Sequence, residues 1–280
     1  MKAITFALAL FAIALTNSCK KEDTFTIPIT ASNVSEMYTE TGLPVQTSIT
    51  HNVNSNIGGY LEALPAHYNN HPKKRFPLII FLNGSGSLGN GSKSSLDVED
   101  NIAIPHLIQK GKFPANFTVN NFTYQFIVLT PQFKNWPQPN DVNDMINYAI
   151  KTYRIDTARI YVCGLSMGGG TTWDYSSDYG KRVAAVVPIC GASSPTTQNA
   201  DYIAKDQLPV WAFHNNADPT VPCSYTTTWV KDINNDKPVI KAKMTIFQNN
   251  VHDAWSTATN PNYTENGMNI YEWMLTYKRN

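Results

Sequence analysis

The stretch "YVCGLSMGGG", residues 161–170, decides how the chain is read. An apolar run ends in a serine flanked by glycines, and three glycines in a row follow. A turn that leaves a strand and enters a helix within one residue needs neighbours without side chains, because any β-carbon beside it would meet the backbone on the far side. Gly164-Leu165-Ser166-Met167-Gly168 therefore reads as a sharp strand-to-helix turn that presents the Ser166 hydroxyl. A phosphate cradle is the competing use of such a stretch. The sequence contains no Gly-Lys-Ser/Thr, and this turn does not have the Gly-x-Gly-x-x-Gly spacing, which argues against it.

Outward from that turn, unbroken apolar runs recur: "FPLIIFLNG", "QFIVLTP", "RIYVCG", "VAAVVPICG", "LPVWAFHN" and "AKMTIFQN". Continuous apolar runs bounded by Pro and Gly fit strands of a parallel sheet that is covered on both faces. "GGYLEALPAHYN" reads as a further strand leading to a turn. Between the runs lie helical patterns. Val142, Met145, Ile146, Ala149, Ile150 and Tyr153 recur at three- and four-residue steps, with Asp141 in the first turn. Tyr225, Trp229 and Ile233 mark a second helix, and Ile270, Trp273, Met274 and Tyr277 a closing one. Strands alternating with helices predict a three-layer α/β fold with a mainly parallel central sheet. Such sheets bind ligands at the carboxyl ends of their strands, so the chemistry is expected just after each run.

Two of those ends carry the groups a serine needs. A hydroxyl is a weak nucleophile until a base takes its proton, and the base needs an acid to fix its tautomer. "LPVWAFHNNADPTVP" places Asp218 in a polar turn after one strand, and "AKMTIFQNNVHDAW" places His252 in the loop after the next. Their order, serine then acid then histidine, is that of a nucleophile elbow with its partners. His214 precedes the acid and reads as a loop-orienting residue. Asp253 reads as a capping carboxylate, and Asp174 and Asp178 fall on the helix behind the serine. The oxyanion needs two backbone donors, expected from Met167 and from Ser85 in the glycine-rich "FLNGSGSLGNG". Trp136, Trp173 and Trp255 lie near strand ends and are candidate aromatic walls for a substrate.

Matched in order and spacing, "FLNGSGSLGNG", "VLTPQ", "YRIDTARIYVCGLSMGGGTTWD", "VAAVVPICG", "LPVWAFHNNADPTVP" and "VHDAW" make the chain resemble an α/β-hydrolase of the carboxylesterase, dienelactone-hydrolase and predicted-peptidase type. It is similar there to bacterial feruloyl and polyhydroxybutyrate-depolymerase-like esterases. The resemblance runs from about Tyr60 to Trp273. It implies Ser166 as nucleophile, Asp218 as acid, His252 as base, and Ser85 and Met167 as oxyanion donors. Asn83 departs from the pattern, since relatives usually carry His there. The implied activity is serine-dependent hydrolysis of carboxylic esters, with feruloyl or acetyl groups on polysaccharide as expected substrates. An exported serine peptidase and a glycan-binding lipoprotein on the same scaffold are the competing functions.

The N-terminus points outside the cytoplasm. Met1, Lys2 and the apolar run Ala3–Leu15 have the form of a secretory signal, and the run is too short to span a bilayer comfortably. "LTNSCKKED" then resembles a bacterial lipobox, so residues 1–18 are expected to be removed and Cys19 lipidated. A membrane-anchored lipoprotein of the periplasm or cell surface is the implied location. Residues 19–42, rich in Thr, Ser, Asn and Glu, suit a tether, which leaves 43–280 as the catalytic domain. Removing the signal takes away one Lys and leaves 21 basic against 21 acidic side chains, and no charge run or basic patch argues for nucleic acid. Cys163, Cys190 and Cys223 are an odd set whose spacing fits no zinc pattern, and Cys163 and Cys190 read as small buried hydrophobes. A Cys190–Cys223 bridge stays open on sequence alone. No metal cluster stands in the sequence, and no cofactor is expected.

Overall fold

Phe76–Leu82 sets the plan of the molecule. All seven residues of FPLIIFL are buried, and successive side chains alternate between two separate cores. Leu78, Ile80 and Leu82 enter one cluster, while Ile79 and Phe81 enter the other. A strand buried on both faces needs a helical layer on each side. The computed structural model describes residues 38–97 and 102–279. The signal, Cys19 and the tether up to residue 37 lie outside the described residues.

Among the described residues the chain runs β1 (Val45–Ile49), β2 (Ile57–Leu64), β3 (Phe76–Leu82), α1 (Lys93–Leu96), α2 (Ala103–Gln109), β4 (Phe117–Val119), β5 (Phe122–Tyr124), β6 (Ile127–Phe133), α3 (Pro139–Thr152), β7 (Ile155–Leu165), α4 (Met167–Tyr179), β8 (Ala185–Ile189), α5 (Thr197–Lys205), β9 (Trp211–Asn215), α6 (Cys223–Asn235), β10 (Lys243–Phe247), α7 (Trp255–Ala258) and α8 (Ile270–Leu275). Eight strands form one sheet in the order β1-β2-β6-β3-β7-β8-β9-β10. The six from β6 to β10 are parallel, and β2 and β1 close that edge antiparallel. Helices α3 to α6 fill the core on one face through Met145, Trp173, Ile203 and Trp229. On the other face, α2, α8 and the β4–β5 hairpin contribute Ile104, Tyr271 and Phe117. This is the three-layer, mainly parallel α/β-hydrolase architecture.

The sheet order positions the site. From β3 the chain goes to β6 on one side and returns to β7 on the other, so the order reverses between β3 and β7. Loops leaving a sheet at such a switch diverge and open a crevice at the strands' carboxyl ends. Ser166 follows β7 there, and Asn83-Gly84-Ser85 follows β3.

One expected boundary moves. Composition predicts a tether as far as residue 42, yet Glu40 is 3% exposed. Its carboxylate accepts the backbone N–H groups of His67 at 2.9 Å and Thr41 at 2.9 Å, and lies 2.5 Å from His67 Nδ1. The fold therefore begins by Tyr38. A polar composition hid this, because the anchor is a buried, hydrogen-bonded carboxylate rather than an apolar side chain.

The β4–β5 hairpin is a second element that the apolar runs do not announce. Asn120 and Asn121 turn it, both at positive φ, with Val119 paired to Phe122. Two asparagines between short β-rich runs are a signal for that kind of turn.

Candidate active site

Helix α4 begins with Met-Gly-Gly-Gly-Thr-Thr, a poor helix former on propensity alone. Packing explains it. A β-carbon on Gly168 would stand 2.1 Å from Leu82 O, and one on Gly164 would stand 2.4 Å from Gly168 O. Only glycine lets the helix start that close to β3 and β7. The buried hydroxyls of Thr172 and Ser176 are satisfied inside the helix, donating to the carbonyls of Gly168 at 2.8 Å and Thr172 at 2.6 Å.

Ser166 sits at the joint with φ 51° and ψ −116°, a conformation a residue with a β-carbon rarely adopts. Such strain costs on the order of 1–3 kcal/mol and persists only when the surroundings over-determine it. They do so here. Ser166 N–H donates to Ile189 O at 2.9 Å, and Ser166 O accepts from Gly170 N–H at 2.8 Å and Ala192 N–H at 2.9 Å.

The two groups expected from later strand ends meet this serine. His252 Nε2 lies 2.8 Å from Ser166 Oγ, and His252 Nδ1 lies 2.7 Å from Asp218 Oδ2. The Asp218 side chain is fully buried and that of His252 is 18% exposed. The other carboxylate oxygen of Asp218 accepts the N–H groups of Thr220 at 2.8 Å and Val221 at 3.0 Å. Burial pushes the Asp218 carboxyl up, but the hydrogen bonds from His252, Val221 and Thr220 outweigh it and hold the pKa below the usual carboxylate value. An ionised Asp218 can only accept, so the proton between it and His252 sits on Nδ1. That leaves Nε2 free to accept from the serine hydroxyl.

The competing residues make other contacts, although His214 Nε2 also lies 3.4 Å from Asp218 Oδ2. His214 is wholly buried, 2.8 Å from Thr226 Oγ1 and 3.0 Å from Val221 O, and burial lowers its pKa. It braces the turn that carries Asp218. Asp253 accepts Ser256 N–H at 2.8 Å and Ser256 O–H at 2.6 Å at the start of α7. Asp174 accepts the Ser193 hydroxyl at 2.6 Å.

Across the crevice, Gly84 comes close enough that a β-carbon on it would lie 3.5 Å from Ser166 Cβ. Met167 is the first residue of α4, and Ser85 is the first residue of a short 3-10 helix, Ser85–Ser87. First-turn amides have no acceptor within their own helix, so both are donors open to a ligand. Asn83 is 2% exposed, and its backbone carbonyl accepts Gly168 N–H at 3.1 Å. Neither polar atom of its side chain has a protein partner, so this amide is a polar group beside the crevice that the sequence marks only as a departure from the family pattern.

The three tryptophans separate. Trp136 is 46% exposed in the loop after β6. Trp255 is half-buried and packs edge-on against the His252 ring at 5.3 Å. Trp173 is a correction: it is 0% exposed and stacks on Trp229 with ring centroids 5.0 Å apart, so it is core and not a substrate wall. Its place seven residues after Ser166 on α4 turns it into the helical layer. The thiols of Cys163, Cys190 and Cys223 are all free, so the Cys190–Cys223 bridge is absent. A concavity of about 390 Å³ between β1 and α2, lined by Leu43, Val45, Gln46, Ser48 and Ile108, has no histidine or carboxylate in its lining beside the Ser48 hydroxyl and lies at the antiparallel edge.

Comparison with known proteins places the fold and the family. The chain is 37% identical over 73 residues to a bifunctional acetylxylan esterase/xylanase of Neocallimastix patriciarum, a match covering 26% of the chain and only 10% of that relative. Among solved structures, a thermostable esterase superposes with a TM-score of 0.59 at 24% identity, covering 85% of this chain and 63% of that one. A feruloyl esterase module from Clostridium thermocellum superposes with a TM-score of 0.51 at 17% identity, covering 75% and 82% of the two chains. These likenesses show the shared fold. The profile of the dienelactone hydrolase family matches residues 121–270, more than half of the chain, from the β4–β5 turn through the strands that carry Ser166, Asp218 and His252. The chain belongs to the dienelactone hydrolase family.

Proposed function

We propose that the protein hydrolyses carboxylic esters through Ser166, His252 and Asp218, and that its substrates are feruloyl or acetyl esters on polysaccharide. The observation that carries this reading is the relay Asp218 Oδ2 to His252 to Ser166 Oγ at 2.7 and 2.8 Å on a strained turn. Its steps follow from the atoms. His252 Nε2 takes the Ser166 proton as Oγ attacks the ester carbonyl, and Asp218 stabilises the imidazolium. The N–H groups of Met167 and Ser85 receive the oxyanion, each worth about 3 kcal/mol in the transition state. The imidazolium then protonates the departing alcohol, and a water activated by the same nitrogen releases the acid from Ser166.

The substrate class is supported by the names of the acetylxylan esterase/xylanase relative and the feruloyl esterase module, and by the exposed Trp136 after β6 and the half-buried Trp255 beside His252. In this reading the mature chain is exported and carried on a lipid at Cys19, as the charged start, apolar core and "LTNSCKKED" suggest. Cys19→Ala would then release the protein from the membrane fraction. The test of the chemistry is hydrolysis of p-nitrophenyl acetate, methyl ferulate, acetylated xylan and a peptide amide, with Ser166→Ala as control. Serine-dependent turnover of ferulate or xylan supports the proposal. Turnover of the amide in preference to every ester would make the protein a peptidase, and tight glycan binding without turnover would make it a binding protein.

A further inference from the structure

Behind the histidine, three donors from three different loops converge. Among the described residues, the Cys190 sulfur, an Asp218 carboxylate oxygen and a His252 ring nitrogen all lie within 4.8 Å of one another. Cys190 ends β8 at φ 39°, a left-handed conformation that its β-carbon disfavours, and its N–H is fixed to Phe213 O at 2.8 Å. Cys190 is 0% exposed within the apolar layer, and its sulfur also borders the triad. Burial pushes that thiol up to about 12.

Thiolate, imidazole and carboxylate together are the donor set of zinc and its borderline-soft neighbours, and magnesium or calcium would not select a sulfur. Bonds of about 2.0–2.3 Å in a tetrahedral site put the ligand atoms about 3.3–3.8 Å apart, so the sulfur must close by up to roughly 1 Å, while Nδ1 and Oδ2, 2.7 Å apart, must open slightly. The His252 side chain, the most exposed of the three at 18% against 0% for Asp218, can supply that by a ring rotation.

We propose that Cys190, Asp218 and His252 form an inhibitory site for a borderline-soft divalent cation, with Zn²⁺ as the reference ion. The charges balance, since one thiolate and one carboxylate neutralise the ion, which suits a buried position. So do the protons. The cation takes the Nδ1 lone pair only when the Nδ1 proton has moved to Nε2, and the thiol proton leaves to water. One proton is therefore released per ion. Once Nε2 carries a proton it can no longer accept one from Ser166 Oγ, even at an unchanged separation. Inhibition comes from the tautomer and needs no obstruction of the crevice. The inhibition rests on the proposed role of His252, whereas the binding does not.

The experiment uses the mature protein and Co²⁺, whose bond to a thiolate gives a near-ultraviolet charge-transfer band independent of activity. The expected result is that band at one ion per chain, its displacement by Zn²⁺, release of about one proton per ion, and loss of p-nitrophenyl acetate hydrolysis over the same Zn²⁺ range, reversed by a chelator. Cys190→Ser should abolish the band and weaken Zn²⁺ inhibition, relative to its own metal-free rate, by at least about tenfold. Cys223→Ser should keep both. His252→Ala, checked for folding by circular dichroism, should also lose the band. No band in the wild type, or a band that survives in Cys190→Ser and His252→Ala, overturns the site. A band with no ester hydrolysis at all would leave the site standing and remove the esterase reading, and hydrolysis without a band would do the reverse.

Discussion

The end of β7 and the end of β10 hold the two reacting atoms 2.8 Å apart by opposite means. Strand β7 lies in the middle of the sheet between β3 and β8, and its last six residues are buried. Ser166 is fixed there by its own backbone, through three main-chain hydrogen bonds and glycines that admit no other path. Strand β10 is the opposite edge and is only partly buried. Its loop is stapled to the β9 loop largely by amides: Asn215 Nδ2 donates to Val251 O at 2.7 Å, Asn249 N–H to Asn216 Oδ1 at 3.0 Å, and Asn216 Nδ2 to Gln248 Oε1 at 2.8 Å. Shape locks the serine, whereas removable polar contacts hold the histidine. The two ends should therefore fail differently when altered.

Removing the chemistry at either end gives the largest effects. Ser166→Ala should lower kcat/KM on p-nitrophenyl acetate by about 10⁴-fold or more while relieving backbone strain only slightly. Asp218→Asn should lower kcat by about 10⁴-fold, because an amide in place of Oδ2 stabilises the wrong tautomer of His252. If Asp218→Asn kept a tenth of the wild-type rate, the asparagine staples alone would be orienting the ring. The carboxylate would then be dispensable for setting the tautomer.

A milder pair separates shape from staples. Gly168→Ala drives a methyl group against the Leu82 and Asn83 carbonyls, at 2.1 and 2.7 Å, and neither is a side chain that can turn aside. The expected cost is about 3 kcal/mol of stability or more in denaturant unfolding, with activity falling in the surviving fold. Asn215→Ala removes one buried donor, and Asn215 is 1% exposed. About 1–2 kcal/mol of stability should be lost, with kcat down roughly tenfold and KM little changed. Equal losses of stability in the two variants would erase the distinction between the ends.

The same contrast explains what can be read from the sequence. The sheet is legible because runs such as FPLIIFL have one physical solution, and Ser166 is legible because three glycines beside one serine have few others. Asp218 and His252 follow from their places after two such runs. Cys190 reads as a small buried hydrophobe and is one, at 0% exposed, but spacing along the chain says nothing of its place beside Asp218 and His252. Trp173 misleads because an aromatic after the turn is equally well placed for the crevice or the core, and only the Trp229 ring decides. Asn83 is visible as a departure from the family, but its unpartnered amide emerges only with the packed neighbours. Glu40 escapes because hydrogen bonds between residues 27 apart leave no periodicity.

Glu40 gives the smallest effect, and it lies at neither end. Burial raises its pKa, but hydrogen bonds from the His67 backbone and ring, the Gly42 N–H and the Tyr38 hydroxyl outweigh this and bring it from 4.5 to about 2. A carboxyl with a lowered folded pKa stabilises the fold fully above its unfolded value and loses that contribution as pH falls through the folded one. The window for Glu40 runs from about 4.5 down to about 2. The shift sets a ceiling of about 3 kcal/mol, and the His67 side chain, 45% exposed, screens part of it, so about 1–2 kcal/mol is expected. Glu40→Gln should lower stability by that amount at pH 6 and by much less near pH 2, measured by urea unfolding. Ester hydrolysis at neutral pH should stay unchanged, because the partners of Glu40 are Tyr38, Thr41, Gly42, His67 and Asn116, and none belongs to the relay. A change in kcat would mean that the N-terminal segment reaches the crevice through the packing, and the contrast between the two strand ends would then have to include a third region.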